Sequence, residues 1–260
     1  MAKLSRIDAK THAEAMRLLA QPSLSFDERV FVLENFQEGA NHVNGQAGAF
    51  FTPSGLAADF TIDAAGGSVI DLCAGIGGLA FWMLHRGCAR GRLVCVEVNS
   101  EYVAIGRKIL PEAEWFHADI FNLPAVLGHF DVAISNPPFG KVSRTGAAPR
   151  YTGAAFEYHA IDIASDLADY GAFIIPGGSA PFRYSGAPYY CESKSDGYRK
   201  FNDQTGIELT AGCGIDTSVY REGWHGVSPV VEVVCADFAE ARELRRNRPG
   251  VSADLFAAAA

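Results

Sequence analysis

A chain of 260 residues, 48% of them hydrophobic, can bury one sizeable core, and its formal net charge of −8 excludes a general cationic coat for nucleic acid while allowing a local basic groove. No apolar run reaches the ~18 residues of a membrane span. The six cysteines form no CxxC pair, which argues against a disulfide or zinc framework and fits a reducing cytoplasm.

The chain begins "MAKLSRIDAK", charged and without the apolar region of a signal peptide. Residues 1–44 read as a helical segment. Ser25 stands three residues before Glu28, a capping-box spacing, and apolar residues then recur at helical intervals. The glycine-rich stretch "NGQAGAFFTPSG" (44–55) breaks that pattern. From Ser68 onward, apolar runs alternate with helical patterns. "SVIDL", "RLVCVEV", "AEWFHA", "FDVAIS", "GAFIIP", "GIELTA" and "PVVEVVCADF" read as strands, with "IGGLAFWMLHRG", "SEYVAIGRKIL" and "AFEYHAIDIASDLADY" as helices between them. This predicts an α/β domain over 45–246, a doubly wound, mostly parallel seven-stranded sheet with an antiparallel hairpin at one edge, followed by a tail over 247–260. Ligands of such sheets bind beyond the carboxyl ends of the strands.

The first strand ends in "DLCAGIGGLA" (71–80), where Gly75, Gly77 and Gly78 permit a tight turn and close ligand approach at a helix N-terminus. The pattern also satisfies G-x-G-x-x-A, so a dinucleotide is a rival ligand. Three acids decide between them. Asp71 precedes the glycines, Glu97 ends the second strand and Asp119 follows the third. Carboxylates repel a pyrophosphate but suit a cationic adenosine derivative without phosphate, which describes S-adenosylmethionine.

The fourth strand runs into Asn136-Pro137-Pro138-Phe139. Proline fixes φ and removes an N–H, so the turn is stiff and its carbonyls are free to accept. An exocyclic amine on a purine is a poor nucleophile because its lone pair is delocalised. The Asn136 side-chain oxygen and the Pro137 carbonyl are placed to take its two protons, and Phe139 to stack on its ring. No metal is required.

These motifs resemble the class I S-adenosylmethionine-dependent amino-methyltransferases that carry [ND]PP[YF], over residues 45–238. The order of "GAFFTPSGLA", the glycine loop and NPPF is similar to the gamma arrangement of adenine-N6 DNA methyltransferases. "FFTP" with "NPPFG" most resembles the modification subunits of type I restriction systems. The resemblance implies that Phe51, Thr52 and Pro53 enclose the methionine part of the donor. It further implies that Asp71 and the backbone of Ala74 and Gly75 hold its polar end, Glu97 its ribose and Asp119 its adenine, with Cys73, Gly77, Val98 and Ile120 also at the donor site. Asn136 would border the donor while Asn136, Pro137, Pro138 and Phe139 grip the target amine. The implied activity is methylation of adenine N6 in DNA, with RNA adenine or a protein glutamine amide as alternatives. A non-catalytic donor-binding subunit is a further reading, which an intact Asn136 speaks against. Family members of this type usually have a large recognition domain after the sheet. Here only "EARELRRNR", read as a solvated helix, and the tail follow, so the expected alternatives are weak selectivity, a separate specificity subunit or an internal loop that supplies it, with a homodimer as a further partner expectation.

Two stretches are candidates for substrate contact. Between Asn136 and Phe156 there is no acidic residue, while Lys141, Arg144 and Arg150 stand with Tyr151, a pattern suited to phosphates. Residues 181–201 interleave aromatics with Arg183, Lys194, Arg199 and Lys200. His85 and His159 read as packing or surface residues without ligand spacing.

Overall fold

A computed structural model describes residues 5–37 and 50–247. The N-terminal helices are α1 (Arg6–Leu19) and α2 (Phe26–Asn35). The capping box forms: the Ser25 N–H donates to Glu28 Oε2 at 2.8 Å and the Glu28 N–H donates to Ser25 Oγ at 3.3 Å. Helix α3 (Ser54–Phe60) was not legible in the glycine-rich stretch. The alternating region then gives β1 (Val69–Leu72), α4 (Gly78–His85), β2 (Leu93–Glu97), α5 (Ser100–Ile109), β3 (Glu114–His117), β4 (Phe130–Ser135), α6 (Phe156–Leu167) and β5 (Ala168–Pro176). A short hairpin, β6 (Phe182–Arg183) with β7 (Cys191–Glu192), leads into α7 (Asp196–Thr205). A 3-10 helix (Thr217–Gly223), β8 (Val231–Asp237) and α8 (Phe238–Asn247) complete the described chain. The expected domain boundary at 44/45 and the tail after 247 lie outside the described residues.

The central sheet has six strands in the order β3-β2-β1-β4-β5-β8, all parallel except β8, which runs antiparallel to β5. The expected doubly wound α/β class is observed, with a correction in strand number. "GIELTA" contributes a single antiparallel bridge, Thr210 to Cys235, and no strand. Left-handed glycines bound it on both sides, Gly206 at φ +68° and Gly212 at φ +56°. Continuing that register by two residues would set Glu208 opposite Asp237, and like charges directly opposite disfavour pairing.

Side chains alternate between the two faces of the sheet. Val69 packs with α1 to α5, whereas Ile70 and Leu72 pack with α6, α7 and α8. The first layer includes Leu18, Leu33 and Phe36, so the N-terminal helices share the core of the sheet. Strand order reverses between β1 and β4. The crevice at their carboxyl ends is where a doubly wound sheet takes its ligand, and the glycine turn and NPPF both lie there.

Candidate functional site

Ser135, the last residue of β4, donates its hydroxyl to the Leu72 carbonyl at the end of β1, so the two strand ends are tied together. The chain leaves β1 through Cys73 at φ +60°, the sole described non-glycine residue in the left-handed region. That conformation costs an L-residue roughly 1–2 kcal/mol and marks a turn held by its surroundings. Gly75 (φ +58°) and Gly77 (φ +93°) follow. A Cβ on Gly75 would lie 2.9 Å from the Phe51 ring, and one on Gly77 3.0 Å from Trp115, so neither position has room for a side chain. Phe51 therefore lies over the glycine turn, braced edge-on by Tyr102 at 5.1 Å.

The three strand-end acids converge here. All three raise the Cys73 thiol electrostatically, after burial as the larger cause, which disfavours its thiolate. Asp71 is 1% exposed; one oxygen accepts the Ala80 N–H of α4 at 3.3 Å and Oδ1 is buried without a partner. Burial pushes its carboxyl well above the usual range, with Glu97 adding to the rise and the Ala80 N–H opposing it. Glu97 accepts the Gly75 N–H at 2.9 Å on Oε2 and the Asn99 N–H at 2.8 Å on Oε1, and burial raises it against these bonds. Asp119 accepts the Phe121 N–H at 3.0 Å and the Thr145 hydroxyl at 2.6 Å, joining the end of the third strand to the loop after NPPF. Val98 is 62% exposed beside Glu97, while Ile120 is buried.

A cleft over the β1 turn is lined by Leu33 of α2, Phe51, Thr52, Asp71, Gly75 and Asn136 among others, and none of its lining residues is basic. Its donor set fits S-adenosylmethionine. An orphaned carboxylate oxygen suits an ammonium, a glycine turn admits close approach, and the surrounding charge is wholly negative.

Asn136 stands on the other side of this cleft. Its amide nitrogen donates to the Phe50 carbonyl at 2.8 Å and to Thr52 Oγ1 at 2.9 Å. The Phe50 carbonyl can only accept, so the amide nitrogen must face it and the oxygen must face away. That oxygen, Oδ1, is buried without a partner. The residues quoted as "FFTP" thus set the orientation of Asn136 as well as covering the glycine turn. Pro137 is buried, Pro138 and Phe139 are half-buried, and Phe139 tilts against Phe50 at 6.4 Å.

Two residues of the basic stretch need correction. Arg150 is buried, bonded to Asp162 at 2.8 Å and to Asp166 at 2.5 Å on α6, so it cannot meet a phosphate. Tyr151 is also buried, edge-on to Tyr158, His159 and Phe201. Both are drawn in because Asp162 Oδ2 accepts the backbone N–H groups of residues 150 and 151 at 2.7 and 2.8 Å. Lys141 and Arg144 remain exposed, with Arg144 reaching the buried His159 ring.

Sequence reasoning missed Glu157. Fully buried on α6, it accepts the Gly140 N–H at 2.8 Å on Oε2 and the Ser179 hydroxyl at 2.6 Å on Oε1. The Phe156 N–H donates to the Gly140 carbonyl at 2.8 Å. The end of NPPFG is therefore clamped to the head of α6. No local spacing announces this bond, since its partners meet only through the fold.

Residues 69–150 match a family model for a methyltransferase domain, a stretch that holds both the glycine turn and NPPF. No curated protein matches the sequence. Among solved structures, the chain is similar to the methyltransferase subunit of a type I restriction-modification system from Streptococcus thermophilus, at 16% identity and a TM-score of 0.55. That match covers 82% of this chain and 48% of the other, so the chain spans about half its neighbour's length. It is also similar to a Listeria monocytogenes protein assigned to the class I S-adenosylmethionine-dependent methyltransferases, at 14% identity and a TM-score of 0.52, covering 84% and 69% of the two chains. A Pyrococcus horikoshii protein assigned as an RNA methyltransferase aligns at 16% identity with a TM-score of 0.48, covering 85% and 94%. The chain has the Rossmann-like fold of the Streptococcus and Listeria proteins, with a methyltransferase domain match over its first four strands.

Proposed function

We propose that the protein is an S-adenosylmethionine-dependent methyltransferase acting on the N6 amine of adenine in DNA. The observation that carries this reading is the buried, unpartnered Asn136 Oδ1 at the end of β4, facing away from two partners that hold its amide nitrogen. Such an oxygen is a ready acceptor for one proton of a planar amine. Accepting that proton fixes the nitrogen and favours the pyramidal form whose lone pair attacks. Pro137 and Pro138 keep the acceptor from turning away, and the half-buried Phe139 offers an aromatic face for the base.

The donor, when bound, supplies a methyl group on a positively charged sulfonium. Asp71, with its free oxygen, would hold the ammonium of such a ligand. Glu97 would take its ribose hydroxyls, and Asp119, with the exposed Val98 and the buried Ile120, its adenine. Cys73, Ala74, Gly75 and Gly77 form the backbone cradle, and Phe51, Thr52 and Pro53 its cover. The exposed Lys141 and Arg144 adjoin NPPF and favour a polyanionic substrate. The DNA reading agrees with the type I modification subunit that shares the fold.

The deciding experiment supplies labelled donor with duplex DNA, single-stranded DNA, RNA and protein, then identifies the labelled atom. Label on adenine N6 in DNA is expected. Label confined to RNA adenine or a glutamine amide would replace the substrate while keeping the amine site. Asn136→Ala should abolish transfer and leave donor binding, read by calorimetry, nearly unchanged. A near-normal rate in that variant would overturn the assigned role of NPPF.

A further inference from the structure

Residues 181–201 send Phe182, Tyr198 and Phe201 into the core, and their exposed remainder is joined to the NPPF turn. From Gly140, the clamp through Glu157 continues to the Ser179 hydroxyl, and the Tyr158 hydroxyl donates to the Ser179 carbonyl at 2.6 Å. Immediately beyond, Ser193 closes the hairpin by donating its N–H to the Pro181 carbonyl at 2.7 Å. Helix α7 is fastened at its far end, where the Gln204 side chain bonds both the N–H and the hydroxyl of Thr152 at 2.9 and 2.7 Å. The hairpin and α7 are thus held beside both NPPF and the loop of Lys141 and Arg144.

The outward chemistry of this element combines exposed aromatics with cations. Phe182 is buried and anchors the hairpin, and Tyr190 stacks on it at 5.5 Å. Tyr189 is 74% exposed and Tyr190 50%, the two most exposed aromatics among the described residues. Around them Arg183, Lys194, Arg199 and Lys200 are exposed, four cations against the two carboxylates Glu192 and Asp196, in a chain whose net charge is −8. Exposed aromatic rings beside cations match one ligand chemistry in particular. Every unpaired base has a face to stack and a phosphate to neutralise, whereas bases inside a duplex have no free face.

We propose that the β6–β7 hairpin and the first turn of α7 form a stacking platform for single-stranded nucleic acid next to the target base. This rests on the nucleic-acid reading above and deepens it, by naming where the strand flanking the target lies and that it is unpaired. Tyr189 stacks on a base, and Arg183 and Lys194 contact its phosphates.

The test uses the full chain and a labelled oligothymidylate, which contains no adenine, so binding is read apart from methylation. Tyr189→Ala should weaken binding about tenfold, the scale of one lost base stack. The double variant Arg183→Ala/Lys194→Ala should flatten the slope of log affinity against log salt by about 1.4, at ~0.7 per phosphate on a single strand. Oligouridylate in parallel separates the two sources of the ligand: tighter oligothymidylate binding assigns DNA, the reverse RNA, and both rankings support the platform. No binding by the parent protein at low salt, or unchanged affinity and slope in both variants, would overturn it. If the platform binds strands and no adenine is ever methylated, the proposed function fails while the platform stands.

Discussion

Asp71 carries its charge at a cost. Its carboxyl is buried and raised well above the ordinary value of 3.8, chiefly by desolvation. From pH 3.8 up to that raised value, the folded protein keeps a proton that the unfolded chain has released. Stability attributable to this group therefore falls as pH rises through the window and stays reduced above it. Asp71→Asn keeps an acceptor for the Ala80 N–H and removes the cost. At pH 8 the variant should melt ~2–4 °C higher, the scale of about 1 kcal/mol in a domain of this size, with the difference vanishing toward pH 3.8. It should also lose donor binding. A lower melting temperature at pH 8 would contradict the burial argument. Cys73 offers a second reading of the same turn. At φ +60°, glycine removes the left-handed penalty and alanine does not, so Cys73→Gly should be more stable than Cys73→Ala by about 1 kcal/mol in denaturant unfolding.

Helix α6 is buried along its whole length, including Glu157, His159, Asp162, Ser165 and Asp166. Most buried polar groups are hydrogen-bonded, and each of these has a partner. The helix acts as a frame for the loop after NPPF: Glu157 holds Gly140 at one end, and Asp162 holds the backbone of residues 150 and 151 at the other. The exposed residues between those anchors are the ones able to meet a substrate. Glu157 is accordingly a positioning residue. Glu157→Ala should lower turnover by up to about 100-fold, the cost of a small misplacement of a reacting group. Donor affinity should be unchanged, and Glu157→Gln, which can still accept from Gly140, should recover most of the rate. Donor affinity falling in step with turnover would show a general structural defect instead.

At the scale of the whole molecule, ion pairs bind distant parts of the chain. Arg150 bridges Asp162 and Asp166, and Arg245 of α8 approaches Asp166 at 3.6 Å, so the last described helix joins α6 and the loop after NPPF in one buried network. Removing one member leaves an uncompensated charge, at ~3–5 kcal/mol. Arg150→Met should therefore destabilise unfolding by about that amount and leave the salt dependence of nucleic-acid binding unchanged. Lys141→Ala should do the opposite, flattening the slope with stability intact. A salt slope altered by Arg150→Met alone would return that residue to the surface.

The sequence by itself determined the sheet class and set a candidate site with its acids at the strand ends. Alternating apolar runs with glycine and proline breaks have few compact solutions, and a doubly wound sheet gathers its strand ends at one edge whatever the details. The tertiary structure alone decided which residues remain there. Arg144 and Arg150 are equivalent in local pattern, yet one is exposed and the other neutralised, because the aspartates of α6 meet Arg150 only after folding. The seventh strand failed for a similar reason, since pairing depends on the partner register and "GIELTA" finds a single bridge. Asn136 was legible as a residue type. The direction of its free oxygen was set by Phe50 and Thr52, 86 and 84 residues away, through bonds that no local pattern contains.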